Sequence, residues 1–207
     1  MSKVKGAKKQ TNNRFLNLFE LEAEHRDGHV SPYFVASRVS QPEELKAVSH
    51  NKRCDGVIIY GVYGKKKDKV VLVRQYRYPI GGYIYEFPAG LVEDGEDMFE
   101  AGIREIFEET GLQFEPKKAD AAYSRPFFTT VGMTDECCGT VYGYCSGTPS
   151  NLHQEASEDI EIVLADREEC KRILKEENVA IMCAYMLMHF IHSGEEDPLG
   201  FLEEICL

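Results

Sequence analysis

Residues 104–111 read Arg-Glu-Ile-Phe-Glu-Glu-Thr-Gly, and three of their carboxylates fall where a helix tolerates them least. Gly111 reads as the left-handed residue that closes a helix. Glu108 and Glu109 then lie in its last turn, beside the negative end of the macrodipole. Glu105 precedes them by three and four residues, so all three side chains project from one face. Each like-charged pair at that spacing costs roughly 0.2–0.5 kcal/mol, and the dipole adds a comparable penalty. Such a cluster asks for a compensating positive charge, and hard divalent cations such as Mg²⁺ take oxygen ligands of this kind. The competing reading is a solvated acidic face, the ordinary meaning of a Glu-Glu pair.

The other side of the same helix weighs against that reading. At about 100° per residue, Phe99, Ile103, Ile106 and Phe107 fall together, roughly opposite the glutamates. One face is therefore expected in a core while the other gathers charge. Upstream, Gly90-Leu-Val-Glu-Asp-Gly-Glu96 is a turn-rich, acidic approach. The segment predicts loop, helix, loop.

Spelled out, the pattern is Gly90, five residues, Glu96, seven residues, Arg104-Glu105-Ile106, one residue, Glu108-Glu109, one residue, Gly111-Leu112. It resembles the Nudix box, with every defining position of residues 90–112 filled. The resemblance implies an α/β fold, an α/β/α sandwich with a mixed sheet, and hydrolysis of a pyrophosphate bond by a metal-activated water. It implies Mg²⁺, with Mn²⁺ as a substitute, held by Glu105, Glu108 and Glu109 and by the backbone carbonyl of Ala89. Arg104 would pair with a neighbouring carboxylate and fix its rotamer, or form an ordinary surface ion pair. Glu96 is expected in a supporting role.

Outside the box, Val73-Arg-Gln-Tyr-Arg-Tyr-Pro79 and Gly81-Gly-Tyr-Ile-Tyr-Glu-Phe-Pro-Ala-Gly90 resemble the ADP-ribose and nucleoside diphosphate sugar pyrophosphatase branch of that family. The resemblance assigns Arg77 to substrate phosphate, which a guanidinium fork matches bidentately. It gives Glu86 a substrate-contacting or metal-neighbouring role, and Glu136 a part in shaping the substrate pocket. It places a general base on a loop far from the box, at Glu158, with Glu155 close enough to substitute. It also implies a homodimer built through the N-terminal strands. Two departures bear on the substrate. Val131-Gly132 stands where such enzymes carry Pro-Gly, and the chain has no Trp. Tyr33 or Phe34 could stack on a base instead.

The expected activity is a Mg²⁺-dependent pyrophosphatase that splits ADP-ribose or a related nucleotide sugar into a nucleoside monophosphate and a sugar phosphate. GDP-mannose and UDP-glucose are alternative substrates of the same class. A non-catalytic nucleotide-sugar sensor and an acidic interaction domain are the readings from other classes. A pure binder has no need of the full glutamate set.

Composition narrows the rest. The 207 residues carry a formal net charge of −11, which disfavours nucleic acid and anionic membranes as partners. No apolar run approaches the ~20 residues of a membrane span. The N-terminus is basic and lacks the apolar stretch of a signal peptide. The seven cysteines show no Cys-x-x-Cys pair, so they read as reduced thiols of a cytoplasmic protein. The six histidines are scattered, and zinc is not expected.

Three parts are expected: a flexible basic tail at 1–12, a hairpin and dimerisation element at 13–50, and a catalytic domain at 51–207. Alternation predicts strands over Phe15–Glu24 and Tyr33–Val39 around an Arg26-Asp27-Gly28 turn. It predicts others at Val57–Val62, Val70–Val73, Tyr123–Phe128, Gly139–Cys145 and Glu161–Leu164, with Gly64–Asp68 as a hairpin tip. Helices are expected over Asp166–Glu177 and Ile181–His192. His189 and His192 in the latter read as satisfied or exposed rather than as ligands.

Overall fold

A computed structural model describes residues 1–203; the last four residues of the expected 51–207 domain lie outside the described residues. The chain divides into two compact units, 1–55 with 126–138 and 56–125 with 139–207.

The first unit holds a three-stranded sheet, β1 (Lys3–Lys9), β2 (Asn17–Glu24) and β3 (Val30–Ser37), in that order. The β2–β3 hairpin turns at Gly28, whose φ of 87° is the left-handed region that glycine enters freely. The basic tail expected at 1–12 is instead largely strand β1, paired antiparallel with β2 from Lys3↔Glu24 to Lys9↔Phe19. Two features of the sequence explain the difference. Val4 and Ala7 pack on the buried cluster of Phe19, Leu21, Val35 and Leu45. Lys3 and Lys5 both pair with Glu24, at 3.8 and 3.0 Å. A single turn, α1 (Lys46–Ser49), follows.

The second unit opens with β4 (Gly56–Tyr63), β5 (Lys69–Arg77), β6 (Gly82–Glu86) and β7 (Ala89–Leu91), and then α2 (Met98–Thr110) and β8 (Gln113–Pro116). After α3 (Ala121–Ser124) the chain passes through the 126–138 segment of the first unit. There β9 (Phe127–Phe128) pairs with Cys137 and Cys138 at the start of β10 (Cys137–Ser146), and β10 then continues in the second unit. Then come β11 (Ile160–Asp166), α4 (Arg167–Glu176) and α5 (Ile181–His192). The mixed sheet runs β11-β5-β4-β10-β8, with β6 beside β5 and β7 beside β4.

Seven consecutive residues of β4, Gly56–Val62, are buried, as expected of a strand covered on both faces. Val57 and Ile59 join Ala101 and Ile106 of α2 in one core cluster. Tyr60 points the other way, where its hydroxyl meets His189 of α5 at 3.1 Å. This places helices on both faces of the sheet.

The strand expected at Tyr123–Phe128 starts instead inside the turn α3, because the Asp120 side chain accepts from the Ala122 N–H at 2.8 Å and caps a helical start. Only Phe127 and Phe128 are extended.

Candidate active site

Helix α2 is fixed at both ends by its own sequence. Asp97 accepts from the N–H groups of Phe99 and Glu100 at 2.8 and 2.9 Å, and the Glu100 carboxylate returns to the Asp97 N–H at 3.0 Å. This is a reciprocal capping box. At the far end Gly111 adopts φ 68° and donates its N–H to the Phe107 carbonyl at 2.8 Å. The helix end inferred from sequence is the observed one.

Its faces are not arranged as expected. Ile103 and Phe107 are 43% and 42% exposed, whereas Glu109 is 4% exposed. The inward arc runs through Ala101, Gly102, Ile106, Glu109 and Thr110. Gly102 permits this, since a Cβ there would press on Val141 at 3.3 Å. The acids therefore lie along the buried margin of α2 rather than opposite it.

Strand β7 supplies the floor. It pairs with β4, Ile58 opposite Ala89 and Val57 opposite Gly90. A Cβ on Gly90 would lie 1.8 Å from the Glu105 carboxyl carbon, so Glu105 closes directly onto bare backbone. The Ala89 N–H hydrogen-bonds the Glu109 carboxylate.

Arg104 is the internal counter-charge. Its guanidinium takes Glu96 bidentately at 2.9 Å on both oxygens, Glu105 at 2.8 Å, Glu108 at 3.0 Å and the Leu91 carbonyl at 3.0 Å. Five hydrogen bonds to three acids and a carbonyl exceed an ordinary surface pair. Arg104 holds the Glu96 carboxyl below the usual carboxylate range. Glu105 still moves up, chiefly through burial, with Glu108 and Glu158 adding repulsion against the pull of Arg104.

Glu109 receives no such relief. Burial first, then the charges of Glu105 and Glu158, push its carboxyl well above the ordinary value, opposed only by the Ala89 N–H and Arg77. Its Oε2 is buried with no hydrogen-bond partner. A buried unsatisfied carboxylate oxygen costs on the order of 1–3 kcal/mol or more.

The remaining assigned residues divide. Arg77, at the end of β5, donates from Nε to Glu86 Oε2 at 2.7 Å, and its charge acts on Glu109. Glu158 acts on both Glu105 and Glu109, so the loop after β10 brings it to the box. Its Oε2 accepts from the Glu155 N–H at 3.3 Å, while the Glu155 carboxylate accepts from the Ser157 hydroxyl at 3.2 Å. Glu136 belongs to the other compact unit, bonded to Arg38 at 3.4 Å and Thr129 at 3.0 Å.

Sequence reasoning passed over Gln154. Its Nε2 donates to the Glu109 carbonyl at 2.7 Å, the Ser150 N–H bonds the Thr110 carbonyl at 2.8 Å, and His153 stacks on Phe107 at 4.5 Å. These contacts tie the Glu158 loop to the carbonyl end of α2. A polar loop residue gives no periodic signal that would have revealed this.

The donor set suits a hard divalent cation. Glu109 Oε2 lacks a partner, the acids are oxygen donors, and the bare Gly90 backbone lets Glu105 approach. Among the described residues no three acid, cysteine or histidine side chains already converge on one point. Arg104 draws Glu105 and Glu108 to itself, so binding a cation entails a shift of these side chains.

The NUDIX domain family matches residues 52–178. This chain is a Nudix hydrolase. A nudix hydrolase of Caenorhabditis elegans is 31% identical over 162 residues, covering 75% of this chain and 68% of that protein. The ADP-sugar pyrophosphatase of Mus musculus is 49% identical over 53 residues, 26% of this chain and 24% of that protein. A solved structure described as an ADP compounds hydrolase shares the fold, with a TM-score of 0.64 at 15% identity over 92% of this chain and 94% of its own. Nudix hydrolases generally use a divalent metal ion. Among the described residues no helix is long and apolar enough to cross a membrane.

Proposed function

We propose that this Nudix hydrolase is a Mg²⁺-dependent pyrophosphatase acting on ADP-ribose or a related ADP-sugar. The observation that carries this reading is the buried carboxylate of Glu109, unpartnered at Oε2 and flanked by Glu105, Glu158 and Arg77. The likeness to the mouse ADP-sugar pyrophosphatase supports the substrate class.

Glu105, Glu108 and Glu109 with the Ala89 carbonyl are the residues that would hold the metal, and Mn²⁺ has the same oxygen preference. A divalent ion there supplies charge neutralisation of the diphosphate and a nucleophilic water at neutral pH. Arg77, steadied by Glu86, binds a phosphate oxygen through its guanidinium fork. Glu158 takes a proton from the attacking water, whose oxygen bonds one phosphorus as the bridging P–O bond breaks. The other phosphate leaves with the bridging oxygen.

In the first unit Leu18 of β2 and Phe34 of β3 are exposed on one face of the sheet. We assign this apolar surface to a second copy of the chain, giving a homodimer. The six free cysteines among the described residues fit a cytoplasmic location.

The test is a product-resolved screen of nucleotide sugars with Mg²⁺ and with Mn²⁺. The expected result is AMP and ribose 5-phosphate from ADP-ribose, lost on chelation. Turnover of GDP-mannose or UDP-glucose with ADP-ribose untouched would overturn the substrate assignment.

A further inference from the structure

The six histidines are scattered along the sequence, yet the turn between β2 and β3 brings two of them together. His25-Arg26-Asp27-Gly28-His29 closes that hairpin. The Gly28 N–H donates to the His25 carbonyl at 3.0 Å, and the His25 N–H to the His29 carbonyl at 2.7 Å. With Gly28 at φ 87°, this is the three-residue loop in which a type I turn is followed by a left-handed residue. Asp27 fixes it further by accepting from the His29 N–H at 3.0 Å. Residues that flank such a loop stand opposite each other on one face of the ribbon.

The imidazoles of His25 and His29 meet with ring centres 5.3 Å apart and planes inclined at 43°. Both residues are exposed. Rings that pair for their own sake favour offset stacking or a perpendicular contact, and this inclination is neither. A zinc ion holds imidazole nitrogens at about 2.0–2.1 Å in tetrahedral geometry. The ring centre lies about 1.1 Å behind the nitrogen, so two rings sharing that ion have centres about 5.1–5.2 Å apart. A square-planar ion would draw them to about 4.4–4.5 Å. The observed spacing matches the tetrahedral case.

The surroundings favour the same chemistry. Ser31 Oγ lies 2.7 Å from His25 Nε2. A hydroxyl that accepts from Nε2–H leaves the lone pair on Nδ1, and such a bond steadies a metal-binding imidazole. The nearby acids are engaged, Asp27 with the His29 N–H and Glu24 with Lys3 and Lys5. The donors left are imidazole nitrogens, which suit zinc and its neighbours rather than Mg²⁺.

We infer that His25 and His29 form a second metal site, a two-imidazole chelate for Zn²⁺ or a similar borderline divalent ion. Among the described residues no group of three histidines, cysteines or acids is placed to hold a metal, so water completes the coordination. The ion ties the two ends of the loop together and staples the hairpin. The site is independent of the pyrophosphatase reading, because the glutamate box takes hard cations through oxygen.

Titration calorimetry with Zn²⁺ alone tests this on wild type, His25→Gln, His29→Gln and, as a control, His192→Gln at an exposed histidine of α5. The box glutamates and the cysteines are present in all four proteins, so any zinc they take up is common to all. Uptake of one ion per chain by wild type and His192→Gln should weaken more than about 100-fold in either hairpin variant, since a lost ligand costs more than the 10–100-fold of a lost supporting hydrogen bond. Melting temperatures in chelator should coincide, because the substituted side chains are exposed. No such uptake by wild type, equal uptake by all four proteins, or a loss in only one of the two hairpin variants would overturn the inference.

Discussion

Glu109→Gln should stabilise the metal-free protein while abolishing turnover. The carboxylate is 4% exposed, and its Oε2 has no partner. Glutamine keeps an oxygen for the Ala89 N–H and replaces the orphaned oxygen with an amide that can donate to neighbouring carboxylates. Removing a buried unsatisfied group recovers about 1–3 kcal/mol. At about 2–4 °C per kcal/mol for a chain of this size, the expected rise in Tm is roughly 2–12 °C in a chelating buffer. The sign with pH follows from the raised folded-state value. Below the unfolded value of about 4.3 both states hold the proton and the wild type bears no charge penalty. As pH climbs above it, the unfolded chain ionises first and wild-type stability falls, until the folded carboxyl also ionises. The advantage of the variant is therefore small near pH 5 and larger at pH 8. Saturating Mg²⁺ should reverse the order, since a ligand at 100 times its Kd adds about 2.7 kcal/mol to the state that binds it. Calorimetric melts with chelator and with Mg²⁺ provide the check. A variant that melts below wild type in chelator, or gains as much from Mg²⁺, would refute the assignment.

Glu158→Gln should lower kcat by about 10²–10⁴ with KM little changed, the loss typical of a missing general base; a larger loss from Glu155→Gln would move the base by three residues. Arg77→Ala should raise KM about 10- to 150-fold, the worth of a charged hydrogen bond, and an unchanged KM would remove it from the phosphate site. Gly90→Ala should fold, because the new Cβ meets the flexible end of Glu105 at 1.8 Å rather than backbone, yet lose Mg²⁺-dependent turnover as that carboxylate is displaced. Wild-type turnover in Gly90→Ala would show that Glu105 need not lie on β7.

The elements that alternate cleanly were legible in advance. α4 and α5 begin within a residue of their expected starts, and β4, β5, β10 and β11 contain their expected strands, since apolar periodicity carried each of them. Strand β1 was not legible, because its lysines read as a tail and Val4 and Ala7 are too few to show alternation without β2 beside them. The inward face of α2 was misplaced for a different reason. Counting hydrophobic residues put Phe107 in the core, but Phe107 instead stacks on His153 of the loop that bears Glu158. The rule that apolar residues mark the buried side fails where a site needs buried charge.

That failure explains how the acid cluster is tolerated. A counter-charge was required on helix-dipole grounds, and the chain supplies part of it through Arg104, which serves Glu96, Glu105 and Glu108. Glu109 is excluded from that network and buried, receiving only the Ala89 backbone N–H and the charge of Arg77. A second internal arginine would have been the stabilising solution, but it would leave no vacancy for a charge from outside. Natural proteins break local rules of this kind at functional sites and offset the cost elsewhere. Here the offset is visible in the capping box of Asp97 and Glu100, the Gly111 closure and the buried arc around Ile106. These hold α2 in register while its most strained acid stays available to a cation.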